Sequence, residues 1–184
     1  MVAIAMIMMR ALRIAGFVLG MMVGVGLWVG GAEAYNRVVA VTAEPLLKID
    51  RRFREAELVA DGRAIRVAPG DTTKLPPATL PADELTYNVI ILIALFAANP
   101  QPWQGRNVRN LAIAAIPVAL SHVFTLLITI ESTYANRLGG WSEEHYGAAA
   151  MNLWLMAELF MRVVGMFGVA FACWWVSRPT ASRA

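Results

Sequence analysis

Residues 14–31 read IAGFVLGMMVGVGLWVGG, eighteen residues without a charge, preceded by Arg10 and Arg13. A helix crosses the ~30 Å hydrocarbon core of a bilayer with about 20 apolar residues, and an uncharged run of 18 or more is long enough to be a candidate. The run predicts a first spanning helix and decides the class of the chain. The rival reading is a secretory signal peptide, because Ala32-Glu33-Ala34 fits the small-x-small cleavage pattern. Signal cores run to about 7–15 residues, shorter than this stretch, so it reads as an uncleaved anchor. Met8 and Met9 are alternative starts, since residues 1–9 place apolar length ahead of the arginines.

Three further apolar runs follow. Leu85–Ala98 is short and is closed by Asn99-Pro100 and Pro102. Begun near Asp83 it spans with local thinning and snorkelling, with a re-entrant segment as the alternative. Leu111–Ile130 contains Pro117, which a membrane helix tolerates when its neighbours satisfy the freed carbonyl. Ala148–Val176 would be about 43 Å long at 1.5 Å per residue, so it tilts or protrudes. Composition agrees: of 184 residues 58% are apolar and 16% charged, against about 25% charged in a soluble domain. The net charge of +3 comes from scattered basic residues, which excludes a nucleic-acid groove. A single cysteine, Cys173, excludes an internal disulfide and a Cys-rich metal site.

Between the first two runs the chain is water-compatible. Glu57-Leu58-Val59-Ala60 and Arg63-Ala64-Ile65-Arg66-Val67 flank Asp61-Gly62, a type I′ hairpin signal. Pro69-Gly70 makes a turn, and Pro76, Pro77 and Pro81 hold the return segment extended. So small a lobe lacks a robust core and leans on the membrane helices or a partner. The expected fold is therefore an all-α integral membrane protein of about four spanning helices with a small extracytoplasmic lobe containing a β-hairpin. Its parts are an N-terminal helix over 1–33, the lobe over 34–84, three helices over 85–178 and a cytoplasmic tail over 179–184.

Charge sets the expected orientation. Arg10 and Arg13, Arg106 and Arg109, and Arg178 and Arg183 lie in three flanking segments without an acid, whereas the loop after the third run has Arg137 against Glu131, Glu143 and Glu144. Basic short loops stay in the cytoplasm, so both termini are expected inside a bacterial inner membrane and the lobe outside. The lobe holds eight Lys and Arg residues, but the rule weighs charges near helix ends, where only Arg37, Lys48 and Lys74 count.

Polar groups inside apolar helices are costly and mark function or packing. Glu158 and Arg162 sit four apart with the acid first, so they share a helix face and can pair. They read as a proton relay or partner-binding pair, or as a self-neutralising packing lock, and the lock is preferred. Ser121, His122 and Thr125 form a second intramembrane polar group. His122 reads as a proton carrier or as a histidine hydrogen-bonded to a neighbouring helix, with Glu158 one possible acceptor. The structural use is again preferred. A cysteine-protease reading of Cys173, His122 and Arg162 fails on depth. Along the helix axis Arg162 lies about 16 Å from Cys173, and His122 about 16 Å from the same membrane face, while nucleophile and base must approach to about 3 Å. No catalytic residue, metal site or cofactor is therefore expected. No P-loop, dinucleotide fingerprint or haem-attachment motif is present.

The first run also carries Gly16, Gly20 and Gly24, then Gly26 and Gly30. Small residues every fourth position let another helix approach closely, and spacing leaves open whether that helix is internal or a partner's.

The layout resembles the small membrane proteins that accompany exosortases, in particular the exosortase H-associated type. The similarity rests on Thr86-Tyr87-Asn88-Val89 opening the second run, Asn99-Pro100 closing it, the turn bearing Arg106 and Arg109, and the Ser121-His122 region. The resemblance implies an accessory role beside a membrane enzyme that sorts proteins by C-terminal signals, and no catalysis by this chain. The expected function is thus a non-catalytic accessory or assembly subunit with an integral membrane partner. The alternatives are a structural subunit of a respiratory or photosynthetic complex, and a small transporter or membrane enzyme using His122, Glu158 and Arg162.

Overall fold

Helix α1 runs unbroken from Val2 to Leu47 in the computed structural model, which describes residues 2–70 and 75–177, with side chains from residue 6 onward. Lys74, Arg178, Arg183 and the tail over 179–184 lie outside the described residues. At 1.5 Å per residue α1 is about 69 Å long, more than twice a bilayer core. It continues through Ala32-Glu33-Ala34, where the sequence reading begins the lobe. The reason lies in the pattern. Ala32, Asn36, Val39, Ala40, Ala43 and Leu47 are buried at helical spacing, and one flank of this stripe carries the i,i+4 pairs Glu33–Arg37 at 3.5 Å and Glu44–Lys48 at 2.6 Å. The second half of α1 is an amphipathic helix with charged flanks.

The hairpin forms, with its turn displaced by one residue. Strands β1 (Glu57–Asp61) and β2 (Ala64–Ala68) pair antiparallel with Asp61 opposite Ala64. The loop is therefore Gly62-Arg63, and Asp61 is the last strand residue. Gly62 has φ +57° and Arg63 is not among the positive-φ residues. A glycine with positive φ in the first central position alone is the type II′ arrangement, in place of the expected I′. Strand β3 (Ala78–Pro81) adds to β2, giving the order β1-β2-β3. Pro81, without an N–H, sits on an edge strand, where a proline is tolerated.

The described residues divide into two compact units. One comprises Gly31–Thr86 and Ala119–Met166; the other comprises the described residues up to Gly30, Tyr87–Val118 and those from Phe167 onward. The first of these, the sheet unit, has a continuous core. Leu58, Ile65, Val67 and Leu80 from the sheet meet Val39, Ala43 and Leu47 of α1 and Leu126 and Ile130 of α4 (Gly105–Asn136). Phe53 and Tyr134 stack edge to face at 5.0 Å in its centre. Asn36 Nδ2 donates to the Gly62 carbonyl at 3.2 Å, and the Tyr134 hydroxyl donates to the Pro76 carbonyl at 2.6 Å. Helices thus supply the core that the lobe is too small to build alone.

The second, the helical unit, contains α3 (Asn88–Ala97), which follows the short turn α2 (Asp83–Thr86). Ten residues give about 15 Å, half a bilayer core, so α3 alone is too short to cross. Among the described residues three helices are long and apolar enough to do so: Met6–Leu47, Gly105–Asn136 and Ala148–Ser177. This fits a membrane location. The third of these is α6 (Ala148–Phe160), a π-helical turn at Met161–Gly165 and α7 (Met166–Ser177). Leu92, Phe96, Ala114, Val118 and Ala170 form the core of the helical unit, with Cys173 and Trp174 packed against it.

The glycine pattern of α1 splits in two. A Cβ at Gly16 would lie 2.6 Å from the Ala97 carbonyl oxygen, one at Gly20 2.8 Å from Ala94 Cα, and one at Gly24 3.1 Å from Ile90 Cα. The first three glycines therefore bring the backbone of α1 against α3 of the same chain. At Gly26 and Gly30 a Cβ would meet nothing within 4 Å. At 3.6 residues per turn, Gly26 lies about 200° round the helix from Gly24, so the second pair faces elsewhere. Gly20→Ala is expected to destabilise the detergent-solubilised protein by about 1–3 kcal/mol, the usual cost of overpacking. Gly26→Ala should be neutral or up to ~1 kcal/mol stabilising, because alanine is the better helix former. Chemical denaturation of the two variants measures the contrast.

Candidate functional site

Three clusters of buried polar groups in the sheet unit are each tied by contacts between distant parts of the chain, while the buried hydroxyls of Thr129, Ser132 and Thr133 on α4 have no hydrogen-bond partner among the described residues. The first centres on Glu158, near the end of α6 and only 2% exposed. Arg137 Nη2 donates to its two oxygens at 2.9 and 3.1 Å, and Arg162 Nη2 lies 3.0 Å from Oε1. The other end of the Arg162 fork donates from Nη1 to Glu84 at 3.1 Å. The chain Arg137–Glu158–Arg162–Glu84 thus alternates in sign and sums to zero. Arg162 reaches both acids from within the π-helical turn Met161–Gly165, a local widening that recurs at functional sites.

The second cluster surrounds Arg52. Asp50 caps the 3₁₀ turn Arg51–Phe53 by accepting from the Arg52 N–H at 2.9 Å, and its carboxylate also takes the Arg52 guanidinium in a fork. The same guanidinium donates to Glu131 of α4 at 3.1 Å and lies 4.0 Å over the Tyr146 ring, a cation–π contact. The Tyr146 hydroxyl, just beyond α5 (Gly140–His145), donates to Glu131 at 2.7 Å. The hydrogen bonds from Arg52 hold the Asp50 carboxyl below its ordinary range. Burial, reinforced by the bond to Glu131, holds the Tyr146 hydroxyl well above its own, so it stays a donor. The third cluster is a pair: the Tyr35 hydroxyl of α1 and His122 Nδ1 of α4 share a hydrogen bond with the rings edge to face at 5.6 Å.

Glu158 and Arg162 do pair, within a larger network. His122 is fully buried and bonds Tyr35; Glu158, weighed as its acceptor, is held by two arginines. The Thr125 hydroxyl donates to the Ser121 carbonyl one turn back at 2.8 Å. Cys173 belongs to the helical unit and packs beside Trp174 against its apolar core, whereas His122 and Arg162 belong to the clusters of the sheet unit. Among the described residues no group of three or more His, Cys, Asp or Glu side chains is placed to hold a metal. Sequence reasoning missed Glu84, Arg137 and the whole Arg52 cluster. These contacts join residues 78, 21 and 79 positions apart, and no local pattern encodes them. One signal existed: Glu131 directly follows an apolar run in which every other position up to Ile130 reads as membrane-compatible.

No family model matches the chain, and no curated protein or solved structure matches it significantly. What the clusters can do must therefore be argued from their chemistry. Each charge in them is offset by an opposite charge or by a hydroxyl donor. Removing one arginine leaves Glu158 paired with the other; removing both leaves a buried, unpaired carboxylate, which costs about 3–5 kcal/mol. Arg137→Ala combined with Arg162→Ala should therefore destabilise by more than the sum of the single substitutions. Denaturation of the three variants supplies that cycle, and strict additivity would contradict the network. Asp50, with its carboxyl lowered in the folded state, contributes stability that is complete above the unfolded value near ~4 and lost as pH falls below it. Melting temperature followed from pH 7 down through this range should drop less steeply in Asp50→Asn than in the parent.

Proposed function

We propose that this chain is a non-catalytic accessory or assembly subunit of a larger membrane protein complex, multi-pass in a bacterial inner membrane with both termini cytoplasmic. The observation that carries the reading is the division of the α1 glycines. Gly16, Gly20 and Gly24 are consumed by α3, while Gly26 and Gly30 meet nothing within 4 Å on a surface where Met22, Leu27 and Val29 are exposed. In lipid, apolar tails give helices no reason to associate, and small residues that permit close backbone approach supply one. An open glycine pair on a long apolar helix suits a helix from another protein. The paired state of Glu158, Arg52 and His122 supports the same reading, since side chains committed to internal neighbours are poorly placed for turnover.

The resemblance to exosortase-associated proteins makes a protein-sorting enzyme the first candidate for that partner, and an energy-converting complex the second. A self-contained transporter or membrane enzyme using His122, Glu158 and Arg162 has one observation in its favour: Arg162 sits in a π-helical turn with its Nε buried and without a hydrogen-bond partner. Mild-detergent extraction of the tagged chain, followed by intact-mass analysis, separates these readings. A second integral membrane protein at fixed stoichiometry is the expected result, and its identity distinguishes the two complexes. A clean monomer or homo-oligomer would overturn the subunit reading and bring the Arg162 turn forward.

A further inference from the structure

The helical unit contains an apolar slot that opens into a basic cleft. The slot, of about 140 Å³, is walled by Leu19 and Val23 of α1, Ile93 and Phe96 of α3, and Val108 and Leu111 of α4. Gly16 and Gly20 also line it. Gly16, Ala97 and Pro102 also line the neighbouring hollow, which shares Arg13, Asn99 and Gln101 with a wider cleft of about 700 Å³ that adds Arg106 and Gln104. No acidic residue lines any of the three. Neither Arg13 nor Arg106 is in an ion pair among the described residues, in contrast to Arg52, Arg137 and Arg162.

The loop between slot and cleft is held in an uncommon shape. Gln101 has φ +56°, the one non-glycine residue with positive φ among those described. Its carbonyl and that of Pro100 accept from Asn107 Nδ2 at 2.8 and 3.2 Å. Non-glycine residues in this region are strained and persist where surrounding contacts over-determine them, often at ligand sites. Trp103, on the same loop and lining the slot, is 74% exposed, as befits an aromatic at a membrane–water boundary.

We propose that this composite cavity binds one anionic phospholipid, with the phosphate between Arg13 and Arg106 and the start of an acyl chain in the slot. Two unpaired guanidinium groups in one acid-free cleft match a phosphodiester by charge and by fork geometry. The slot next to them is nearly all hydrocarbon, so a soluble anion would leave it unfilled. Basic pockets between membrane helices recognise anionic head groups in this way. The inference rests on the membrane reading above, and its test keeps the two apart.

Native mass spectrometry of the full chain, released from neutral detergent with phosphatidylglycerol or phosphatidylcholine, reads the site directly. Retention of phosphatidylglycerol over phosphatidylcholine is expected. It should fall about thirtyfold in Arg13→Gln combined with Arg106→Gln, from the loss of two surface cations, with the melting temperature unchanged. Arg109→Gln removes one such charge from the same first turns of α4, outside the lining, and should leave retention as it was. Equal retention of both lipids, or an equal loss on Arg109→Gln, would overturn the proposal as general surface charge. Competition by free glycerophosphoglycerol as strong as by the intact lipid would overturn the acyl slot. A chain that stays dispersed without detergent would overturn the membrane reading itself.

Discussion

Glu158, 2% exposed on an apolar helix and clasped by Arg137 and Arg162, is the contact on which the sheet unit most depends. An unpaired carboxylate there would be expelled or protonated, so its arginines must come to it. Arg137 comes from just beyond the end of α4, and Arg162 from a π-helical turn that reorients its side chain and lets it also reach Glu84. A run of apolar helix with one charge is thereby joined to the end of one neighbour and to the segment leading into the next. Arg52 repeats the scheme, joining the 3₁₀ turn to α4 and Tyr146. Tyr35 and His122 then link α1 to α4 through a hydrogen bond.

This arrangement bears on function. Buried ion pairs of this kind add little net stability compared with apolar packing, and removing one partner is costly. They are better regarded as devices that specify one arrangement of helices. With Glu158, Arg52 and His122 committed to internal neighbours, the chain presents the outside with surfaces: the open side of α1, the sheet, and the basic cleft at Arg13 and Arg106.

Much of the architecture was legible in the sequence because it is written in local periodicity. Long apolar runs mark the three long helices, and Asp61-Gly62 between alternating segments marks the hairpin. The turn slipped by one residue because Gly62 takes the first central place and Asp61 still pairs with Ala64. The extension of α1 to Leu47 was missed because charge was given more weight than spacing: Val39, Ala43 and Leu47 carry a helical stripe through a charged segment. The short α3 shows a second limit. Apolar content over 85–98 suggests a span, but the helix is interrupted at Tyr87 and ends before Asn99-Pro100, so α3 has only ten residues. The site was half legible. The Glu158–Arg162 pair follows from i,i+4 spacing, whereas Arg137, Glu84, Arg52 and Tyr35 reach their partners through tertiary folding that no spacing records. The glycines were legible as packing residues, and only the structure separates those facing α3 from those facing nothing.

On the proposed function, the open glycine face of α1, and not the buried polar groups, is where another polypeptide docks. Photo-crosslinking in the native membrane tests it most directly, with a short-reach crosslinking side chain placed in turn at Gly26, at Gly30 and, as an internal reference, at Val23 beside α3. Positions 26 and 30 are expected to join a single other polypeptide in good yield, while position 23 gives products within the chain or with lipid. Lipid adducts alone from positions 26 and 30 would contradict it.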